Sequence, residues 1–418
     1  MRARRPLARP CSILLVVAAL ALVAAGPAAT STPPPTPVPP NGSPSPFPSS
    51  LATPKPSTTT PRVTSRAAVL EDLDSGQVLF AKRPDERRPI ASITKIMTAL
   101  LVLERLRPST VVVVGRDATL PSGSSLGLRV GEHISVENLL YALMLQSSND
   151  VAVALADAAG GSAGAFVKMM NQRARELGLA NTRFTSPNGL NDRGSSTAAD
   201  LALLTRTAYS SALFARLVRT KAWDIPAPSG PARHVQNRNA LLWLYPGAIG
   251  VKTGFTTPAG HCLVATAERN GVKVIAVVLG ERDEPFDAAA TLLNYGLLEF
   301  DRDVVVRAGE PVGNVVVQGR SVPVVAQLDL APLVRRDLVA AVAEELRPAE
   351  GLRLPIVTGE PIGVEVALVS GQVVASVPAV AAPPSPSAPA STGARESTMQ
   401  LLVRLLWAVI LAVLKASL

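Results

Sequence analysis

The chain contains very little cysteine or histidine for its 418 residues: two cysteines, Cys11 and Cys262, and three histidines. Removal of the N-terminal leader described below would leave Cys262 alone and exclude an intramolecular disulfide. Cys, His and Asp nowhere have the spacing of zinc ligands, which disfavours a metal-dependent hydrolase. A Ser-His-Asp hydrolase needs a positioned histidine, and none of His133, His234 and His261 lies in a recognisable triad setting. We expect all three histidines, and Cys262, to be structural.

Aromatic residues make up only 4% of the chain, and no Lys/Arg run is interleaved with them. Nucleic-acid binding is therefore disfavoured. The formal charge is +9, but four arginines of this excess lie within the first ten residues. The mild basic excess that remains would suit an anionic membrane or wall surface.

The two ends have compositions that cannot form a packed core. Residues 1–29 place arginines before an apolar run and small residues after it, which predicts a signal peptide, with a retained anchor as the alternative. Residues 30–64 and 381–396 are rich in Pro and small residues and predict extended linkers. Residues 397–418 form an apolar stretch with one polar stripe, which favours a membrane-interface helix; a short tilted span stays open. We therefore expect an exported protein held on the extracytoplasmic face of the cell membrane.

Between the linkers, the pattern predicts an α+β fold. β-like runs flank Asp74-Ser75-Gly76 and Asn270-Gly271, both of which indicate hairpins. Helical segments lie between these hairpins, so one antiparallel sheet built from distant parts of the chain should carry a helical lobe, over residues 65–300. Residues 301–380 alternate β-branched residues with Gly/Pro turns and predict a small β-rich domain. Within it, "DLVAAVAEEL" (337–346) predicts a short helix.

Chemistry is first suggested by Ser92 and Lys95, which lie in the apolar run "ASITKIMTALL". Residues three apart on a helix share a face, so the ammonium can reach the hydroxyl. A desolvated lysine with a lowered pKa can take the proton of a serine and make it nucleophilic. Taken alone, the pair is better explained as a helix cap and an outward-pointing lysine.

Two further polar groups lie beside apolar elements. Ser147 and Asn149 interrupt two apolar helical runs, where a second hydroxyl could relay a proton and an amide could hold a substrate. Lys252, Thr253 and Gly254 open a predicted strand. They offer a cation and a hydroxyl to a carboxylate, with room for close approach to the backbone. Taken singly, the Ser147 group is better explained as a loop with a helix cap, and the Lys252 group is equally well explained as a turn before a strand.

Together, the motifs S-x-x-K, S-x-N and K-T-G in this order resemble the serine D-alanyl-D-alanine carboxypeptidases, the low-molecular-mass penicillin-binding proteins. Three longer segments share the resemblance: "SGSSLGLRVGEHISVENLLYALMLQSSNDVAVALA", "FTSPNGLNDRGSSTAADLALL" and "VQNRNALLWLYPGAIGVKTGFT". The resemblance covers roughly residues 67–300 and extends to the β-rich part. Two departures are Ser148, where the family often has Gly, and Phe255, where His is common in some members.

The resemblance implies a two-step acyl transfer on a peptidoglycan stem peptide ending in D-Ala-D-Ala, with no metal and no cofactor, and inhibition by β-lactam antibiotics. Ser92 would be the acyl-ester nucleophile and Lys95 its general base. Ser147 would relay a proton, and Asn149 would hold the peptide. Lys252 and Thr253, with Gly254 beside them, would bind the terminal carboxylate.

Three alternatives stay open from the sequence. A D,D-endopeptidase that cuts cross-links and a β-lactamase belong to the same superfamily. A non-catalytic penicillin-sensing or wall-binding protein, which is acylated but turns over negligibly, belongs to a different class.

Overall fold

We describe the structure from a computed structural model, over residues 60–190, 193–227 and 231–383. The described part is an α+β fold, as the sequence predicts: a helical lobe on an antiparallel sheet, followed by a β-rich part. The helices are α1 (Lys95–Arg105), α2 (Val136–Tyr141), α3 (Asn149–Gly160), α4 (Ala163–Glu176), α5 (Ala198–Ala208), α6 (Ala212–Arg219), α7 (Leu241–Leu244) and α8 (Phe286–Glu299). The strands are β1 (Ala67–Asp72), β2 (Val78–Lys82), β3 (Val111–Val113), β4 (His133–Ser135), β5 (Ala222–Ile225), β6 (Arg233–Gln236), β7 (Ala248–Thr256), β8 (Gly260–Arg269), β9 (Val272–Glu281), β10 (Phe300–Arg302), β11 (Pro311–Val317), β12 (Arg320–Ala326), β13 (Leu333–Arg335), β14 (Val342–Pro348), β15 (Pro361–Val369) and β16 (Gln372–Ala381).

The main sheet has five antiparallel strands in the order β2-β1-β9-β8-β7. Both predicted hairpins are confirmed, since β1 pairs with β2 and β8 pairs with β9. The two hairpins join because β1 also pairs with β9, which is more than two hundred residues away along the chain. β7 is left as an edge strand with one unpaired side, where an extended ligand could lie.

Helices cover both faces of this sheet. Alternate residues of a strand point to opposite faces. Val69 and Ile275 belong to the core cluster shared with the helical lobe, whereas Gly296 of α8 lies against Leu70 and Val274. Burying both faces explains the nearly continuous apolar character of β8 and β9.

Several helices begin where a hydroxyl can accept a hydrogen bond from the first turn. The four cap residues each accept from the backbone N–H three residues further on: Ser135, Ser162, Thr197 and Ser211. Within the helical lobe these caps fix where each helix starts, and the apolar face of each helix then packs into one core.

The β-rich part contains a five-stranded sheet in the order β11-β12-β16-β15-β14, with its own small apolar clusters. The predicted helix at residues 337–346 is wrong. Residues 339–341 form one short 3-10 turn, and β14 then pairs with β15 from Val342 to Pro348. Sheet pairing has overridden the local helical preference of alanine and glutamate in this segment.

The β-rich part is attached at the β1–β2 edge of the main sheet. Arg302 donates to the fully buried Asp72 carboxylate at 2.8 Å. The Gln77 side chain donates to the backbone oxygen of Leu333 at 2.7 Å and accepts from its N–H at 2.8 Å. The boundary predicted at residue 300 falls within β10, which pairs with β13; the domain limits stay predictions.

The predicted signal peptide (1–29), the second linker from residue 384, the terminal helix (397–418) and the first linker up to residue 59 lie outside the described residues. Within the described residues, no single helix has the length and apolar character to cross a membrane. Only α3 and α4 together reach that length, and they are bent by 79° at their junction.

Candidate active site

Ser92 lies on a tight turn immediately before α1. Residues Ala91–Thr94 form a 3-10 turn, and the α-helix begins only at Lys95. The turn still brings the two side chains together, because the Lys95 Nζ atom lies 3.0 Å from the Ser92 Oγ atom. Ser92 is half-buried, so its hydroxyl remains accessible to a ligand.

Lys95 is completely buried and has two further oxygen neighbours. Its Nζ atom donates to the Asn149 side-chain oxygen at 2.8 Å and to the backbone oxygen of Asn188 at 2.6 Å. Both oxygens can only accept, so they use both hydrogens of a neutral amine. The lone pair of a neutral Lys95 is then left facing the Ser92 hydroxyl. This arrangement is that of a base next to its proton donor.

The electrostatic surroundings favour the neutral amine. The pKa of Lys95 is lowered well below its ordinary value, first by burial and then by the positive charges of Lys252 and Arg238; Asp150 opposes them. Burial, followed by the charge of Arg238, lowers the pKa of Lys252 to about 7. A buried lysine with cationic neighbours is more stable without its proton.

Asn149 connects Lys95 to a loop that borders the site. A π-helical turn (Ala142–Gln146) ends at Ser147, which has a left-handed backbone with φ of 66°, and α3 then begins at Asn149. The Asn149 side-chain nitrogen donates to the backbone oxygen of Ser122 at 2.8 Å. Its backbone N–H donates to the Ser124 oxygen at 2.7 Å. Asn149 therefore positions the lysine and the loop at the same time.

The same loop is held by a buried carboxylate. Asp150 accepts from the N–H groups of Leu126, Gly127 and Leu128 at 2.9–3.1 Å, and from the Ser125 hydroxyl at 2.6 Å. Satisfying several donors with one carboxylate fixes the backbone of the loop.

The third motif lies within β7 rather than at its start, because the strand begins at Ala248, four residues before Lys252. Lys252 and Gly254 point to the face shared with the helical lobe, as do their β8 partners Val264 and Cys262. Lys252 is buried and its Nζ atom donates to the Thr253 backbone oxygen at 2.9 Å, while Thr253 itself is half-buried.

Gly254 allows the strand to approach the Ser92 turn. A Cβ atom at Gly254 would lie 3.2 Å from the N atoms of Ser92 and Ile93 and 3.0 Å from the Ile90 oxygen. Only a residue without a side chain permits this contact without displacement. The K-T-G strand and the nucleophile turn thus form two walls of one site.

Three contributors were not singled out from the sequence: the Asn188 carbonyl, Arg238 and the Asp150 carboxylate. Asn188 acts through its backbone, which no residue pattern signals. Arg238 lies between two buried asparagines, Asn237 and Asn239, and the Asn239 side chain donates to the Gly250 oxygen of β7 at 2.7 Å. A cation flanked by asparagines ahead of an apolar run was the available signal.

Cys262 and Phe255 lie near the site but differ in exposure. Cys262 is fully buried opposite Gly254, and burial raises the pKa of its thiol to about 11, which is consistent with a core residue. Phe255 is 58% exposed, and its ring packs against that of His261 with centroids 4.4 Å apart.

The family model and related sequences that match this chain carry the names of D-alanyl-D-alanine peptidases, and a matching solved structure is a penicillin binding protein. Residues 54–283 match a sequence model of the family described as D-alanyl-D-alanine carboxypeptidase. The chain is 31% identical over 326 residues to the D-alanyl-D-alanine carboxypeptidase DacF of Bacillus subtilis, covering 75% of this chain and 84% of that protein. It is 35% identical over 224 residues to the D-alanyl-D-alanine endopeptidase of Escherichia coli, covering 52% and 72% respectively. Penicillin binding protein 5 from Haemophilus influenzae superposes with a TM-score of 0.68 at 28% identity, covering 78% of this chain and 98% of that one.

Proposed function

Because this chain belongs to the D-alanyl-D-alanine carboxypeptidase family, we propose that it removes the terminal D-alanine of peptidoglycan stem peptides through an acyl-enzyme on Ser92. The observation that carries this assignment is the hydrogen bonding of Lys95. Both hydrogens of its neutral amine are taken by oxygens that can only accept, which leaves the lone pair for the Ser92 hydroxyl.

Acylation follows from this geometry. The Ser92 Oγ atom attacks the carbonyl between the last two D-alanines as its proton passes to Lys95. The new Oγ–C bond forms, the C–N bond breaks, and Lys95 returns the proton to the amine of the leaving D-alanine. Water then hydrolyses the ester, again with Lys95 as the base, and free Ser92 is restored.

Lys252 and Thr253 would hold the terminal carboxylate of the substrate. Since Gly254 lies against the Ser92 turn, the scissile carbonyl would sit one or two residues further along β7 than the carboxylate. A peptide lying along β7 therefore runs antiparallel to the strand. Its upstream residues point towards Thr256, and anything attached on the leaving side points towards Ala248.

The remaining assignments concern proton transfer and charge. Ser147 would relay a proton, and Asn149, whose amide oxygen holds Lys95, would position both the base and the peptide. The N–H groups of Ser92 and of Thr256 or a neighbour on β7 would stabilise the oxyanion of the tetrahedral intermediate. A β-lactam would acylate Ser92 by the same attack.

The test uses a peptide ending in D-Ala-D-Ala. Wild-type protein should release D-alanine and form a penicillin adduct of the expected mass, and Ser92→Ala should do neither. Ser210→Ala is the matched control, because Ser210 is an exposed serine whose hydroxyl donates only to the backbone oxygen of Thr207 among the described residues. D-alanine release that is absent in wild type, or undiminished in Ser92→Ala, would contradict the proposal.

The same experiment separates the alternatives. Rapid loss of the penicillin adduct would favour a β-lactamase. An adduct without D-alanine release would favour a penicillin-sensing protein. Faster cleavage of a cross-linked dimer than of a single stem would favour an endopeptidase, which is the activity named for the E. coli relative.

We also propose that the protein is exported and held at the extracytoplasmic face of the membrane. The support is the sequence alone: the arginine-led leader of residues 1–29 and the apolar, striped segment of residues 397–418. Deleting residues 399–418 should move the protein from the membrane to the soluble fraction. Unchanged partitioning, with the leader shown to be cleaved, would contradict the anchor.

A further inference from the structure

A short turn between α4 and α5 supplies the carbonyl group that accepts a hydrogen bond from Lys95. We call residues 186–190 the Asn188 turn, because the Asn188 backbone oxygen lies 2.6 Å from the Lys95 Nζ atom. Within the turn, the Ser186 hydroxyl accepts from the backbone N–H of Gly189 at 3.0 Å. This internal bond shapes the turn but does not by itself fix the distance between the turn and Lys95.

Thr98 on α1 holds the Asn188 turn from the same side as Lys95. It is fully buried and follows Lys95 by three residues, so the two side chains share one face of the helix. The Thr98 hydroxyl donates to the backbone oxygen of Pro187 at 2.6 Å, and Lys95 donates to the next carbonyl, that of Asn188. A buried carbonyl oxygen without a donor is costly, so the Thr98 contact should persist in both protonation states of Lys95.

The Asn188 turn also packs against the Ser92 turn. Gly189 has a left-handed backbone with φ of 82°, and a Cβ atom there would overlap the backbone oxygen of Ala91. Ala91 directly precedes Ser92. The turn that Thr98 holds is therefore in contact with the residue before the nucleophile as well as with the base.

The charged groups that act on Lys95 lie on other elements. Among the described residues these are Lys252 on β7, Arg238 ahead of α7 and Asp150 on α3. The Asn188 turn contains no charged residue. A change at Thr98 therefore alters the position of a carbonyl group beside Lys95 and leaves all of these charges in place.

We propose that Thr98 is a positioning residue of the reaction, which keeps the Asn188 carbonyl against Lys95 by holding the carbonyl of Pro187. The inference rests on the proposed function, in which Lys95 takes a proton from Ser92 and passes it to the leaving amine. In the neutral amine, the Asn188 oxygen accepts one hydrogen and so helps to aim the lone pair at the Ser92 hydroxyl. Once the proton has moved, the same oxygen stabilises the ammonium.

The test uses Thr98→Val, which removes the hydroxyl and keeps a branched side chain. We expect the limiting rate of penicillin acylation to fall by about tenfold, because the amine is less well oriented. The dissociation constant of penicillin before acylation should stay within about twofold, because Thr98 is buried and cannot contact the ligand. A carbonyl that accepts from an ammonium favours the charged form, so its displacement should lower the pKa of Lys95. The acid limb of acylation should therefore move to lower pH by about half a unit or more.

Two variants are the controls. Thr98→Ser keeps the hydroxyl and should restore both the rate and the acid limb to near those of wild type. Thr205→Val removes an equally buried hydroxyl, which donates to the backbone oxygen of Leu201 within α5 at 2.7 Å. It should lower the melting temperature without moving the acid limb. If Thr98→Val does not fold, Ser186→Ala takes its place, because it loosens the same turn by removing the acceptor of the Gly189 N–H.

Three results would overturn the positioning role. These are an acid limb that coincides with that of wild type in the variant that folds, a rate loss that Thr98→Ser does not restore, and an equal shift in Thr205→Val. Carbon-13 NMR of the lysine Cε atoms reads the titration of Lys95 without any reaction. An unchanged Lys95 titration in Thr98→Val would contradict the positioning role, whereas absence of acylation in wild type would contradict the proposed function itself.

Discussion

Lys252, which we propose as a ligand of the substrate carboxylate, also carries a charge that acts on Lys95. Its positive charge lowers the pKa of Lys95, so Lys252→Met should raise that pKa. Acylation needs neutral Lys95 and slows as pH falls through its pKa. The acid limb of the rate of penicillin acylation should therefore move to higher pH in the variant, in addition to any uniform loss of rate.

Lys168→Met is the control for this shift, because Lys168 is an exposed lysine on α4. The acid limb of penicillin acylation by Lys168→Met should coincide with that of wild type. An acid limb that stays in place in Lys252→Met would show that the two lysines are not coupled as the structure indicates.

Glu71 makes folding stability depend on pH. Burial raises the pKa of its carboxyl from 4.5 to about 7, although Arg206 opposes the rise. Between these two pH values, the folded chain keeps a proton on Glu71 that the unfolded chain has released. The contribution of Glu71 to the free energy of unfolding is therefore complete below pH 4.5 and is lost as the pH rises to about 7. It amounts to at most about 3 kcal/mol. Glu71→Gln should remove this decline and increase the free energy of unfolding at about pH 8.

Denaturant unfolding across this pH range is the measurement for Glu71. Glu268→Gln changes an exposed glutamate of β8 and should leave the pH dependence as in wild type. A decline of the same size in Glu71→Gln as in wild type would remove Glu71 as its source.

The residues predicted from the sequence and those missed differ in kind. Ser92, Lys95 and Asn149 carry their chemistry in side chains at fixed spacings, and Lys95 lies within hydrogen-bond distance of both Ser92 and Asn149. In the structure, burial and the nearby charge of Lys252 lower the pKa of Lys95. The Asn188 carbonyl could not be predicted, because any residue could supply it and only the fold brings it to Lys95.

Among the structural elements, the contact between β7 and the Ser92 turn depends on Gly254. A methyl group there would meet the backbone of Ile90, Ser92 and Ile93 at 3.0–3.2 Å, and backbone atoms cannot move aside easily. Gly254→Ala should therefore push the strand from the turn and slow penicillin acylation by at least about tenfold.

Gly164→Ala is the matched control, since a methyl group at this α4 position meets no atom within 4 Å. It should keep the wild-type acylation rate. Full activity of Gly254→Ala would mean that the strand and the turn can separate without cost to the reaction.

The loop formed by residues 122–128 depends on the start of α3. Asp150→Asn replaces one of two accepting oxygens with a donor, so bonds to the N–H groups of this loop are lost. We expect faster amide hydrogen exchange at Leu126–Leu128 and slower acylation, because Asn149 links this loop to Lys95. Asp157→Asn on the same helix is the control and should change neither the amide exchange nor the acylation rate. Unchanged amide exchange in Asp150→Asn would show that Asp150 does not hold the loop.

The two hairpins were predicted correctly because their local sequence favours the same structure as their strand pairing. The two hairpins carry turn residues between β-branched runs, and both form. Residues 337–346 show the opposite case, because alanine and glutamate favour a helix while β15 offers a complete row of pairing partners. Long-range pairing of this kind does not show in a short window of sequence.

In the molecule as a whole, the β-rich part and the active site lie at opposite edges of the main sheet. Arg302 and Leu333 contact the β1–β2 edge, and β9 and β8 separate that edge from β7. At about 4.8 Å for each strand, loosening the attachment should hardly move β7. Arg302→Met leaves the buried Asp72 carboxylate without its cation, so we expect lower thermal stability and faster amide exchange at Leu333.

Penicillin acylation by Arg302→Met should nevertheless stay within about twofold of wild type, because nothing at β7 has changed. Arg320→Met, at an exposed arginine of β12, should match wild type in stability, amide exchange and acylation. A tenfold or larger loss of acylation in Arg302→Met alone would show that the β-rich part acts on the site through the sheet. An unaltered acylation rate together with faster amide exchange at Leu333 would show that the β-rich part and the active site are mechanically separate. This is the result we expect if the β-rich part serves only as a spacer for the active site.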